Sequence, residues 1–315
     1  MLFDKAIIFT DIHLGNKNNS RLHNQDCEDH RATINVSTLN YTVSNLRRLN
    51  DNFDEVIMIM GNHDLYYREK REINSIPMAD QFPNIRIVND TMLIEDGVAF
   101  IPWLVEDEWK KVKEVKCKYM FGHFELPSFY MNALVQMPDH GGLKAEDLSG
   151  PEKVFSGHFH KRQERGNVIY PGNCFPHNFS DAWDDDRGCM ILDWDGTIDY
   201  IPWPDAPKYR TLPLSKLIDE PERYLADKTY ARVSLDVGIT YEEANFIKET
   251  FAKQYNLREI SLIPSKKEEH TNDWQTGVDI EVENVDTIVL SQLESVQSET
   301  IKKQMLIDIY QGLTT

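Results

Sequence analysis

Three apolar runs in this chain end in the same way, in a glycine followed by polar sequence that carries histidine. Residues 55–60 (EVIMIM) run into Gly61-Asn62-His63-Asp64, residues 118–121 (KYMF) into Gly122-His123, and residues 153–155 (KVF), one serine later, into Gly157-His158-Phe159-His160. A fourth run, residues 5–9 (KAIIF), turns at Thr10–Gly15 through Asp11-Ile12-His13. Short apolar runs bounded by Gly and polar residues read as buried strands. Each of these strands therefore delivers a polar loop at its C-terminal end. Between the runs at 5–9 and 55–60, Val36, Leu39, Val43, Leu46 and Leu49 recur at helical spacing after Thr33 or Asn35 as a cap. That spacing predicts a helix over about 33–50 with one apolar face. Strands interleaved with helices imply an α/β sandwich, with sheets inside and helices outside.

Residues 85–104 read as successive strands with a hairpin turn at Glu95-Asp96-Gly97, and 190–202 as a second hairpin around Asp195-Gly196. The Pro-rich stretch Pro202–Pro213 reads as a linker. Beyond it a strand near 229–237, a helix near 240–254 and a strand near 257–263 make a small α+β module. The segment 265–285 is polar and acidic, and 288–312 has helical periodicity that suits either a partner-binding helix or packing on its own domain. A chain of 315 residues has room for one sizeable core and a smaller second unit. It has no apolar run of roughly 18 residues and no basic flank or cleavage site of a signal peptide at its start, so a cytoplasmic protein with no membrane association is expected. Cys27, Cys117, Cys174 and Cys189 are widely spaced, which suggests reduced thiols and no zinc knuckle.

Taken alone, Asp11-Ile12-His13 says little, because such a triplet arises by chance. The ordered set of Asp11/His13, Asn62/His63/Asp64, His123 and His158/His160, each directly after a strand, is more informative. Carboxylate, imidazole and amide donors together suit hard and borderline divalent ions such as manganese, zinc or iron, and the absence of cysteine from the set argues against structural zinc. In an extended segment, residues two apart face the same side, so His158 and His160 could address two ions. Gly61, Gly122 and Gly157 stand where the backbone is expected to turn sharply beside a crowded site.

In these blocks the chain resembles the calcineurin-like metallophosphoesterases, whose pattern is DxH, GD, GNH[DE], GH and GHxH in that order. Four of the five blocks are here. The resemblance is nearest to the SbcD-type DNA repair nucleases, and among them to the small subunits of phage recombination endonucleases. It extends over GNHDLYY (61–67), IPW (101–103), GHFEL (122–126), SGHFH (156–160), YPGN (170–173) and DDDRG (184–188). It implies a four-layer α/β/β/α sandwich over 1–205, a small α+β DNA-capping domain over 206–285, and a C-terminal helical segment over 286–315. It also implies two divalent ions, manganese foremost, with Asp11, His13 and His160 on one and Asn62, His123 and His158 on the other. His63 is then the proton donor or phosphate-orienting group, with Asp64 fixing its tautomer.

One block is missing, since no Gly-Asp dipeptide occurs in the sequence. The family places a helix and a strand before that block, but only residues 14–32 precede the expected helix here. Either the sheet is shortened and Asp26 or Asp29 supplies the bridging carboxylate, with Asp26 the better placed, or an internal piece is absent from this stretch. The second explanation is preferred.

The implied function is a metal-dependent DNA exonuclease and endonuclease subunit acting on double-stranded ends, with single strands as further substrates. It would work as a homodimer with an SMC-like ATPase of the SbcC type, in the host cytoplasm if the chain is of phage origin. Two alternatives stay open: a metallophosphatase on a non-DNA substrate, because metal motifs do not choose a substrate, and a catalytically impaired DNA-end-binding scaffold. A net charge of −18 repels duplex DNA, so bound cations or a basic partner must offset it. The six tryptophans read as core or rim packing, and His177 with Asp184–Asp186 and Arg187 as a solvated loop or a DNA-groove lining.

Overall fold

The computed structural model of the chain describes residues 1–11, 36–67, 69–89, 92–131, 135–264 and 304. Within them the protein is mixed α/β, with several sheets and few helices. The elements run β1 (Lys5–Ile8), α1 (Val36–Asn52), β2 (Val56–Ile59), β3 (Leu65–Tyr67), β4 (Lys70–Asn74), β5 (Ile85–Val88), β6 (Leu93–Glu95), β7 (Val98–Ile101) and α2 (Trp109–Val112). They continue with β8 (Tyr119–His123), β9 (Lys153–Gly157), β10 (Gln163–Arg165), β11 (Val168–Tyr170), β12 (Gly188–Asp193) and β13 (Ile198–Pro202). Last come β14 (Lys208–Pro213), α3 (Leu214–Asp219), α4 (Pro221–Tyr224), β15 (Thr229–Leu235), α5 (Tyr241–Gln254) and β16 (Glu259–Pro264).

The centre is a six-stranded sheet in the order β10-β11-β9-β8-β7-β6. Its four inner strands are parallel, and antiparallel hairpins close both edges. Successive side chains point to opposite faces, and burial of both faces explains why the middles of these inner strands are apolar. Val98 and Phe100 of β7, Tyr119 and Phe121 of β8, and Phe155 of β9 pack on one side with Met190 and Leu192 of β12 and with Ile8, Ile57 and Ile59. Their neighbours Ala99, Ile101, Met120 and Val154 pack on the other side with Phe124, Leu126, Phe129 and Leu148. The strands facing the first side belong to a β1-β12-β13 sheet and a parallel β2-β5 pair. Under α1, Leu46 packs with Met60 and Ile85, and Val56 and Met58 join them from the far face of β2.

The buried stripe of α1 is Thr38, Thr42 and Leu46, at a spacing of four, while Val36 and Leu39 are exposed. The expected stripe through Val36 and Leu39 is thus rotated about the helix axis. The turn from α1 into β2 is held by Asn84, whose amide donates to the carbonyls of Asn50 (2.8 Å) and Phe53 (3.3 Å), groups that a helix end leaves without intrahelical partners.

The expected linker is half strand. Lys208–Pro213 forms β14 and pairs in parallel with β15, which pairs in parallel with β16. The proline at its end carries no cost because β14 is an edge strand. This small sheet has its own core of Leu212, Leu217, Ala231, Val233 and Ile260. Its helix α5 begins with a reciprocal cap: Thr240 Oγ1 accepts from the Glu243 N–H at 3.2 Å, and the Glu243 carboxylate accepts from the Thr240 N–H at 2.8 Å. The expected partner helix at 288–312 lies outside the described residues apart from Gln304. No helix among the described residues is long and apolar enough to cross a membrane.

Close approach of backbones fixes one glycine in this framework. A Cβ at Gly188, the first residue of β12, would stand 1.9 Å from the Ile201 carbonyl oxygen of β13. Gly188→Ala is expected to lower stability by about 1–3 kcal/mol in urea or thermal melting. Gly142→Ala, where a Cβ meets nothing within 4 Å, should stay within about 0.5 kcal/mol of the parent.

Candidate metal centre

Strands β8 and β9 lie parallel in a register that sets His123 beside Gly157. The imidazole of His123 occupies the space a side chain would take there: a Cβ on Gly157 would stand 2.8 Å from His123 Nδ1, and one on Gly61 would stand 2.8 Å from Cε1. The ring therefore sits in a slot between two glycines on loops from different strands. None of Gly61, Gly122 and Gly157 has a positive φ, so the sharp-turn explanation is corrected. Gly61 and Gly157 make room for a ring, and Gly122 makes room for Phe124, whose ring would be 2.2 Å from an added Cβ.

From this slot His123 Nε2 faces Asn62 Oδ1 at 2.9 Å. Asn62 sits in a short 3-10 turn, Asn62–Asp64, and the Asp64 carboxylate shapes that turn by accepting from the Gly61 N–H at 2.7 Å and the Ser75 hydroxyl at 3.5 Å. His63 stands exposed on the same turn. Asp11, just past β1, reaches across to the end of β9, where both its oxygens accept from the His158 N–H, at 3.0 and 3.1 Å. Asp11, Asn62, His123 and His158 are thus gathered from four loops.

His158 has φ +95°, in the left-handed half where non-glycine residues cost about 1–3 kcal/mol, and Asp11 has φ +52°. The His158–His160 segment is consequently not extended, and the same-side argument for its two imidazoles fails. The His158 ring lies 5.4 Å from that of His123 and 5.3 Å from Trp103, while the His160 ring lies 5.3 Å from that of His177. His177, read from sequence as a loop residue, is fully buried. His13, Asp26 and Asp29 lie outside the described residues.

Two neighbours carried little sequence signal. Glu125 Oε1 is 3.3 Å from His158 Nε2, two positions beyond His123. Trp103 places its ring against both His123 and His158 and is fixed by its main chain: its N–H donates to the Met60 carbonyl at 2.8 Å and its carbonyl accepts from Arg71 at 2.7 Å. Arg71 is itself forked onto Glu108 at 2.6 and 2.7 Å, a pairing that helps hold the Glu108 carboxyl below the usual range against the opposing effect of burial.

The donors fit a divalent cation. Ligand atoms sharing a six-coordinate ion at roughly 2.1 Å stand about 3 Å apart, which is close to the His123–Asn62 separation. Burial pushes the Cys117 thiol up to about 11 and the Cys174 thiol to about 12. Among the described residues, His, Cys, Asp and Glu side chains by themselves form no group of three able to hold an ion. The expected set also includes the amide of Asn62 and His13, of which His13 lies outside the described residues.

The slot can be tested directly. Gly157→Ala should rotate His123 away from Asn62, moving the His123 imidazole resonances in a nitrogen-15 NMR spectrum, at a cost of about 1–3 kcal/mol in thermal melting because the ring is confined on both sides. An unmoved His123 spectrum would refute the slot. In comparison with known proteins, no family model matches the chain. It is similar to Exonuclease subunit 1 of Enterobacteria phage T4, with 26% identity over 291 residues that cover 87% of this chain and 80% of the phage protein.

Proposed function

We infer that the chain is a metal-dependent DNA phosphodiesterase, an exonuclease and endonuclease subunit of the SbcD-type metallophosphoesterases that works on DNA ends with two manganese ions. The observation that carries this reading is the convergence of Asp11, Asn62, His123 and His158 from loops that are distant in sequence, with the His123 ring held between Gly61 and Gly157. The similarity to a phage exonuclease subunit points the same way. In this reading the architecture is a four-layer sandwich with a capping module built on β14, β15 and β16.

Asn62, His123 and His158 hold one ion, and Asp11, His160 and His13 the other. Asp26 is the candidate bridging carboxylate. When bound, the ions supply charge against the phosphate and activation of the attacking water. The chain's own groups do the rest. Glu125 accepts from His158 Nε2–H and so fixes which nitrogen of that ring offers a lone pair. Asp64 holds the turn that presents Asn62, and exposed His63 beside it orients the phosphate and gives its proton to the leaving oxygen. Trp103 walls the His123 and His158 rings from one side. An SMC-like ATPase partner supplies the DNA contacts that a chain of net charge −18 lacks, and the chain itself works as a homodimer.

With manganese, the purified chain should cut linear duplex DNA, and chelation should stop it. His63→Ala and His123→Ala should each abolish cleavage, and activity that survives both would defeat the assignment. Because the Gly-Asp block is absent, ion stoichiometry decides against the remaining alternative: fewer than two ions per chain with no turnover would mark a DNA-end-binding scaffold.

A further inference from the structure

Next to the last histidine block, the loop Asp184-Asp185-Asp186 gives each of its carboxylates to a different arginine. Asp184 pairs with Arg187 at 2.7 Å, Asp185 pairs with Arg210 of β14 at 2.5 and 2.9 Å, and Asp186 pairs with Arg162, just beyond the His158–His160 segment, at 3.2 Å. Arg187 is the innermost of these arginines, with 1% of its surface exposed. A guanidinium so buried must be neutralised and hydrogen-bonded. Its Nη2 faces Asp184, with Asp181 at 3.7 Å, and its Nη1 donates to the main-chain carbonyl of His160 and to Asn173 Oδ1.

Two further contacts converge on the same carbonyl. The Asn173 N–H donates to the His160 oxygen at 3.2 Å, and Gly172, at φ +78°, passes so close that a Cβ would stand 2.7 Å from it. Arg187 also reaches the His160 ring by a second route: Asp181, beside the guanidinium, accepts from the His177 N–H at 3.0 Å, and the His177 ring packs 5.3 Å from that of His160. His160 is thus gripped at its main chain directly and at its ring through Asp181 and His177.

We propose that Arg187 is a positioning residue that aims the His160 imidazole, with Asp181 and Asp184 serving to hold its guanidinium in place. The planar fork is what the role needs, since one end must face the carboxylates while the other faces the carbonyl; a lysine offers charge without that geometry. This assignment rests on reading His160 as a metal ligand.

Arg187→Lys keeps the charge and loses the fork, and Asp184→Asn loosens the grip while leaving Arg187 in place. In metal-free protein, both variants should speed amide hydrogen exchange at Asn173, by about tenfold in the lysine variant, with the amides of β8 unchanged. With manganese, Arg187→Lys should weaken one of two ions by about 10–100-fold, the usual effect of losing a group that orients a ligand. Raised manganese should restore its cleavage rate with KM for DNA unaltered, whereas His160→Ala should not recover. Parent-like exchange at Asn173 and parent-like manganese affinity in folded Arg187→Lys and Asp184→Asn would overturn the proposal. A parent chain that binds no manganese would instead sink the metal reading, with exchange at Asn173 still deciding the role of Arg187.

Discussion

Burial of the inner strands on both faces is the constraint from which the rest follows. Val98 to Ile101, Tyr119 to Phe121 and Val154 to Phe155 have alternate side chains in two separate cores, so none of these positions can host an unpaired polar group without a cost of a few kcal/mol. Polar chemistry is therefore pushed to the strand ends. Because β7, β8 and β9 are parallel, their C-terminal ends lie on one edge of the sheet, and the loops carrying Trp103, His123 and His158 emerge together. That edge is where open α/β sheets present ligand sites in general.

This edge was legible in the sequence because the alternation from apolar run to glycine to histidine is a local pattern, and so were the hairpins at Asp96-Gly97 and Asp195-Gly196. What lay beyond reach was non-local. The reason for Gly61 and Gly157 is a ring contributed by a third segment, which no local rule of turns contains. The strand at Lys208–Pro213 hid in a proline-rich stretch because its pairing partner begins about 20 residues later. The His158–His160 spacing suggested an extended pair, yet an N–H bonded to Asp11, 147 residues away in sequence, accompanies a left-handed backbone there.

Charge gives a second case. Asp184, Asp185 and Asp186 look from sequence like a solvated acidic run, and Asp185 and Asp186 are indeed exposed, yet each also pairs with an arginine, and the one beside them in sequence is the most deeply buried. Acids used in this way add little to the field that meets an approaching phosphate. The net charge of −18 already counts these arginines and so resides on other residues, while beyond the roughly 8–10 Å screening length of ordinary salt the three pairs contribute almost nothing.

The site is also a seam. Asp11 follows β1, which belongs to the sheet with β12 and β13, while His158 follows β9 of the six-stranded sheet. Backbone donation from His158 to both Asp11 oxygens ties the two sheets at the point where both chains leave regular structure. The bridge between Thr10 and Asn173, with the Thr10 hydroxyl on the Gly172 carbonyl at 3.1 Å, adds a second tie one residue away. Strain of about 1–3 kcal/mol at each left-handed residue persists only where surrounding contacts over-determine it. Here the determining contacts are the carboxylate that reads as a metal ligand and the N–H of the histidine that reads as another, so the bonds that close the seam also orient the donors.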